Sequence, residues 1–326
     1  MSNTFDFMGF RAAEDPSKNV QLNVDPLITQ LVTGTEQSTF LPGMAMLKQI
    51  LVPNFNFEYR TFGTEHLDHY DTKRAMRAPI KHGDWEVNTV PDRLERYGFR
   101  ILRDADEIGN AHPSLSVREL SAELARRIVT LDIEREIRDL VELPASYLPA
   151  QDTTLGGGAE WNSAGGDSRA DIRAMASLMV VGLPITTEDI EVFLPYQSLE
   201  AAKDDPVFLA ARRNFDTDTP TLDALRLYWG VGRVWTANPI DKNQATGVIG
   251  PMYADEAIMY YPGGARNLDT TYGETTWAVN FRYNKGIAAK AYWDDLHTSW
   301  SFPWHDYAAP RIINSAAAAI IRNTVA

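Results

Sequence analysis

Apolar and polar positions alternate differently in successive parts of this chain. From Met1 to Pro113 the apolar residues are scattered between Pro16, Pro26, Pro42, Pro53, Pro79, Pro91 and Pro113. This stretch therefore reads as reaching arms that find their apolar partners elsewhere. Within it, Phe55, Phe57 and Tyr59 alternate with polar residues, and Tyr97, Phe99 and Ile101 repeat that period. The spacing predicts two extended limbs from Phe55 to Arg100 around a polar, charge-dense middle, Glu65 to Trp85: a long two-stranded loop projecting from the body. A helix follows over Val117 to Leu143. Its apolar stripe is Val117, Leu120, Leu124, Ile128 and Leu131, continued on a rotated face by Ile133, Ile137, Leu140 and Val141. Ser116 and Glu119 form a capping-box pattern at its start, and Pro144 stops it. Such a helix spans about 40 Å at 1.5 Å per residue.

Beyond Gly156-Gly157-Gly158 and Gly165-Gly166, which mark a connection, the pattern becomes compact. Helices are predicted at Arg169 to Val181, Tyr196 to Ala202 and Leu222 to Tyr228. Strands are predicted at Ile190 to Leu194, Val231 to Thr236 and Glu256 to Tyr261, and the alternation describes an α/β lobe. Extended aromatic-rich segments follow at Thr275 to Tyr283 and Gly286 to Trp293. The small apolar run Ala316 to Ile321, with Ile312 and Ile313 ahead of it, returns to a core.

Composition narrows what such a chain does. Its 326 residues suit two packed lobes with extensions. A net charge of −13 argues against gripping DNA, which needs a positive stripe, whereas a structure that merely surrounds DNA gains from repelling it. The absence of cysteine removes disulfides, thiolate metal sites and cysteine nucleophiles, so stability comes from packing and assembly. No signal peptide and no run of about 18 apolar residues is present, which predicts a soluble, cytoplasmically made product.

Candidate chemistry is sparse. His66, Asp68, His69 and Asp71 sit in the loop middle without visible support, and solvated polar side chains or an intersubunit contact explain them better than a metal site. His297, His305 and Asp306 lie among Trp300 and Trp304, where packing with one ring nitrogen bonded to backbone outweighs a catalytic dyad. Asp204-Asp205 and Asp294-Asp295 read as solvated turns. Gly230-Val231-Gly232 reads as a turn entering a strand, and neither a nucleophile elbow nor a phosphate-binding loop occurs. No catalytic, cofactor-binding or metal residue is assigned.

The order of parts resembles the major capsid proteins of tailed bacteriophages with the HK97-type fold. Four segments carry the resemblance: Trp161 to Ile172 (WNSAGGDSRADI), Thr187 to Leu199 (TEDIEVFLPYQSL), Leu222 to Asn238 (LDALRLYWGVGRVWTAN) and Tyr253 to Tyr261 (YADEAIMYY). The resemblance implies an α+β HK97-type capsid fold. Residues 1–50 would be an N-terminal arm and 51–97 an extended β-hairpin loop laid over a neighbour. A peripheral domain would span 98–165 and about 272–305, with its spine helix at 117–143. An α/β axial domain would span 166–271 and about 306–326. It further implies a non-enzymatic head protein, assembled in the host cytoplasm and located in the virion. Hexamers and pentamers of itself would form an icosahedral shell enclosing double-stranded DNA without sequence-specific binding, cofactor or membrane. A portal and decoration proteins are further implied partners. The helical scaffolding segment common in the family is not visible ahead of the arm, so a separate scaffolding protein exists or that segment is removed. Lys73, Arg74, Arg77, Asp84 and Trp85 are the candidate intersubunit contacts, and Lys73 and Lys81 lie where some members carry a crosslinking lysine. An encapsulin-like compartment shares the fold, and an oligomeric α/β enzyme using His297 or His305 is the alternative of another class.

Overall fold

The computed structural model describes residues 41–62, 73, 87–110, 117–212, 221–242, 247–263, 276–283, 287–288 and 290–326. Two compact units emerge. One is built around Arg96–Thr130 and Lys285–Asp306, the other around Glu36–Glu95, Leu131–Asn284 and Tyr307–Ala326.

The larger unit holds a mixed five-stranded sheet in the order β5 (Asp152–Thr154), β15 (Ala318–Arg322), β10 (Ala257–Tyr260), β6 (Glu191–Pro195), β7 (Arg233–Ala237). β10 runs antiparallel to both β6 and β15, whereas β5 with β15 and β6 with β7 are parallel. The three central strands read as continuous apolar runs because both faces are covered: Val192 to Leu194, Ala257 to Tyr260 and Ala318 to Ile321 are all buried. Helices α4 (Ser168–Gly182), α5 (Tyr196–Lys203), α6 (Pro206–Arg212) and α7 (Leu222–Trp229) belong to this unit. Asp167 caps α4 by accepting from Ala170 N–H, and Gly230 ends α7 at φ 75°, where an L side chain would be strained. Gly232 has no room for a side chain, since a Cβ would lie 1.9 Å from the Glu188 carbonyl oxygen.

The quoted Trp161 segment has a physical logic. Trp161 is buried and donates its indole N–H to Asp171 at 3.0 Å, and its ring meets that of Trp229 at 5.9 Å. Trp229 in turn donates to Ser168 Oγ, whose hydroxyl donates to Asp205. Asp205 is fully buried and accepts from the backbone of Ser168, Val207 and Phe208, so it starts α6. The solvated turn expected at Asp204-Asp205 holds for the exposed Asp204, whereas Asp205 is a buried cap: four donors replace the water that it gives up.

The same unit contains α1 (Pro42–Met46), β1 (Lys48–Val52) and the hairpin β2 (Asn56–Phe62) with β3 (Val87–Arg93). The return limb is thus Val87–Arg93 and not the Tyr97 to Ile101 stretch. Tyr97, Phe99 and Ile101 belong to β4 (Glu95–Asp104), which pairs with β14 (Ser299–Ile312). Strand β3 carries Pro91, tolerated because a two-stranded ribbon has only edges. β1 pairs in parallel with β11 (Ala278–Tyr283), and β11 pairs antiparallel with the C-terminal part of β14.

In the smaller unit β14 also pairs with β12 (Ile287–Ala288) and β13 (Tyr292–Asp294), and α2 (Ala105–Asn110) follows β4. The predicted Gly286 to Trp293 strand is two short strands here.

The long helix is present as α3 (Val117–Glu142), free of glycine and proline and followed by Pro144; Ser116 lies outside the described residues. Its burial departs from the predicted stripe. Ser121, Ala122, Ala125 and Val129 are buried in its first half, while Leu120 and Leu124 stay 50% and 41% exposed. Small residues allow close approach on the inner face, and the leucines point away. In the second half Ile133, Ile137 and Val141 are buried as expected, with one polar addition, Glu134.

Glu134 fixes α1 to α3. Its Oε1 accepts from Gly43 N–H at 2.5 Å and from the Tyr253 hydroxyl at 3.0 Å, and Oε2 accepts from Met44 N–H at 3.0 Å. A buried carboxylate without such donors would be costly. Gly43 is required by the same geometry: a Cβ would lie 2.5 Å from Ile137 Cγ2, 2.8 Å from Tyr253 Oη and 2.9 Å from Glu134 Oε1. We expect Gly43→Ala to destabilise the fold by roughly 1–3 kcal/mol, as overpacking of a filled core does, read as a lower urea midpoint. An unchanged midpoint would show that α1 does not depend on this contact.

Candidate assembly surfaces

The β2–β3 hairpin is supported by aromatic rings. Phe57 and Tyr59 lie 4.6 and 5.3 Å from Phe281, and Phe55 lies 4.7 Å from Tyr283 and 4.8 Å from Tyr307. The alternation noted in the sequence thus faces β11 and β14. Opposite it, Arg311 holds Asp92 of β3 by two hydrogen bonds, Nε to Oδ2 at 2.7 Å and Nη2 to Oδ1 at 3.1 Å. A two-stranded ribbon is marginal alone, and this clamp with its rings supplies the missing support. The Tyr59 phenol is pushed up by burial and then by Asp92, so it stays neutral. Of the five predicted loop contacts, Lys73 is exposed. Arg74, Arg77, Asp84 and Trp85 lie outside the described residues, as do Lys81 and the His66, Asp68, His69, Asp71 group.

A second polar cluster sits inside the larger unit. Arg322 of β15 holds Asp152 of β5 by Nε to Oδ1 at 2.8 Å and Nη2 to Oδ2 at 3.2 Å, and donates to the Glu142 carbonyl at 2.8 Å, tying the end of α3 to the sheet. Near these charges Glu256 is buried, with Oε1 lacking a hydrogen-bond partner. Burial, then the neighbouring Glu142 charge, push its carboxyl up to about 7. Burial also raises Glu134 despite its three donors, and raises Glu142 and Glu136. Nothing in the sequence marked Glu134 or Glu256 beforehand, because an acid on a helix or at a strand entrance ordinarily reads as solvated.

The histidines are not brought together. His297 lies in the turn before β14 and its Nδ1 is 3.0 Å from Asp294 Oδ2, while Arg100 Nη1 reaches the same carboxylate oxygen at 2.9 Å. Asp294 is held below the usual carboxylate range, by His297 first. His305 lies further along β14 beneath Gly98, where a Cβ would come within 2.6 Å of its Nδ1. That nitrogen has no hydrogen-bond partner, contrary to the backbone bond expected, because the close β4 backbone fills the space as packing. Burial and Arg96 lower its pKa, so the ring is neutral. Among the described residues no group of three or more potential metal ligands occurs, and no helix is long and apolar enough to cross a membrane.

What remains is surface suited to protein contact. Leu120 and Leu124 of α3, Leu296 in the turn before β14, Val181 of α4, Leu227 of α7, and Ile240 and Ile249 are large, apolar and exposed. Scattered apolar exposure is ordinary, but repeated along a helix stripe it signals contact surface.

No family model matches the chain, and no curated protein matches it. Solved structures do. A phage-related protein from Bordetella bronchiseptica is 22% identical, over 92% of this chain and 97% of that one, with a TM-score of 0.70. The capsid of the cyanophage P-SCSP1u is 9% identical over 85% and 86%, with a TM-score of 0.57. An encapsulin complex from Synechococcus elongatus is 12% identical over 88% and 89%, with a TM-score of 0.52. The fold therefore belongs to the class found in viral capsids and encapsulin shells. It is the HK97-type α+β capsid fold.

The Glu256 environment sets a pH dependence. Its folded pKa of about 7 exceeds the ordinary 4.5, so the folded state holds the proton more tightly. Its stabilising contribution is full below about pH 4.5 and is lost as pH rises through 7, by about 3 kcal/mol in all. Glu256→Gln should flatten the stability profile between pH 5 and 8 in chemical denaturation. An unaltered slope in the variant would place the titration elsewhere.

Proposed function

We propose that this chain is the major capsid protein of a tailed bacteriophage, assembling through hexamers and pentamers into an icosahedral shell around double-stranded DNA. The observation that carries the reading is a fold shared over most of both chains with a cyanophage capsid. The chemistry agrees: charge −13 suits enclosing DNA rather than gripping it, and the exposed leucines of α3 suit burial by neighbours. The protein acts as a structural element of the virion, not an enzyme. Its separated histidines, one paired with Asp294 and one packed under Gly98, support this.

Residues 1–50 act as the arm, 51–97 as the loop over a neighbour, 98–165 with about 272–305 as the peripheral domain, and 166–271 with about 306–326 as the axial domain. Lys73, Arg74, Arg77, Asp84 and Trp85 contact a neighbouring subunit, and the basic members face acidic residues there, fixing register more than affinity. A separate scaffolding protein, a portal and decoration proteins complete the head. An encapsulin-like compartment is the second reading, favoured by the likeness to the Synechococcus elongatus complex.

Expressed alone, the chain should give closed particles or capsomer rings in negative-stain electron microscopy. Particles made during infection should absorb as nucleic acid if the role is a phage head, and carry protein cargo instead if it is a compartment. Arg74→Glu with Arg77→Glu should lower the yield of closed particles at least tenfold; an unchanged yield would remove the loop charges from the account.

A further inference from the structure

We infer that His305 is a proton-operated latch between β4 and β14: the neutral ring seats β4, and mildly acidic solution loosens it. The inference rests on the smaller unit alone and is independent of the shell reading.

The contact is set by a missing side chain. His305 stands on β14 opposite Ile287 of β12, and β4 pairs with β14 as well. Its ring lies against β4 at Gly98, where a Cβ would come 2.6 Å from Nδ1 and 3.2 Å from Cε1. An aromatic ring laid over a cross-strand glycine fills the place of the side chain that the glycine lacks. Nδ1 is out of water and has no hydrogen-bond partner. An orphaned acceptor is tolerated more readily than an orphaned donor, so the neutral ring carries its hydrogen on Nε2. Protonation makes both nitrogens donors. The new N–H at Nδ1 then points at the β4 backbone with no acceptor in reach, which costs free energy that only movement of the strand relieves.

Charge acts in the same direction. The strand period places Arg96 and Arg100 on the face of β4 that carries Gly98. Arg100 is committed to Asp294 at 2.9 Å, whereas Arg96 acts on the ring. β12 brings only the uncharged Ile287. Asp294, which also meets His297, opposes Ser299, six residues and roughly 20 Å along β14 from His305. Asp306, next on β14, takes the alternate face. A proton on His305 thus meets a cation and no compensating carboxylate among the described residues. Burial and Arg96 hold the ring below the ordinary value of 6.5. The seated state therefore binds the proton less readily than the open one. The latch is fully effective above pH 6.5 and is lost as pH falls below it. β4 is the strand that yields, since it pairs with no other strand than β14 among the described residues.

Hydrogen exchange of the full chain, read by mass spectrometry between pH 7.5 and 5.0 and corrected for intrinsic rates, tests this. The short hairpin of β8 (Ile240–Lys242) and β9 (Ile249–Pro251) checks that correction. Protection in peptides covering β4 should fall roughly tenfold in the parent. It should fall by no more than about twofold in His305→Phe, which keeps a ring over Gly98 and takes no proton, and in His305→Gln. His297→Gln, which leaves the latch in place, should follow the parent. Peptides covering β6 and β10 should stay protected throughout. Flat protection of β4 in the parent, or an equal fall in the parent and both His305 variants, would overturn the inference. Should both variants already be loosened at pH 7.5, the parent decides. A fall confined to the smaller unit supports the latch, and a fall shared equally by β6 and β10 overturns it.

Discussion

A buried carboxylate holds the larger unit together at the point where chain segments distant in sequence meet. Glu134 accepts from the backbone of Gly43 and Met44 and from the Tyr253 hydroxyl, joining α1, the long helix and the segment that leads into β10. The charge is taken out of water, and three donors offset that cost only while all are in place. Burial still raises its pKa, which shows that desolvation dominates. Such a site favours one arrangement of α1 on α3 and penalises others.

The same device recurs at smaller scale. Asp205 starts α6 from a fully buried position, Arg322 ties β15 to β5 and to the end of α3, and Arg311 clamps Asp92 at the loop root. Each joins segments that are distant in sequence. This cysteine-free chain uses buried and half-buried charge where other proteins use disulfides. Partners of opposite chemistry determine the geometry, and the apolar sheet supplies most of the stability.

Much of the fold was legible because its signals are local. The apolar runs of β6, β10 and β15 and the helices α4, α5 and α7 lie within a residue or two of where the sequence pattern puts them. The Trp161 segment was legible as a motif, and the Trp161–Asp171 hydrogen bond supplies its cause. Long-range facts were not legible. Pairing of Asn56 with Arg93 rather than with the Tyr97 limb depends on β14 claiming β4. β14 itself was hidden by Pro303 and Pro310, which speak against a strand in isolation. Leu120 and Leu124 marked the helix correctly and the buried face wrongly, because an apolar stripe has the same period whether its own chain or a neighbour covers it. For the candidate contacts, residue chemistry pointed to the loop, while the exposure of Leu120 and Leu124 emerges only from the fold.

The central claim is that the fold builds a shell from copies of itself. Native mass spectrometry of the freshly purified full chain, at rising concentration and low salt, tests it most directly. The account predicts discrete five- and six-fold multiples of the 36.5 kDa subunit, giving way to closed particles. A mass that stays at one subunit at every concentration, with the fold intact by circular dichroism, would contradict it.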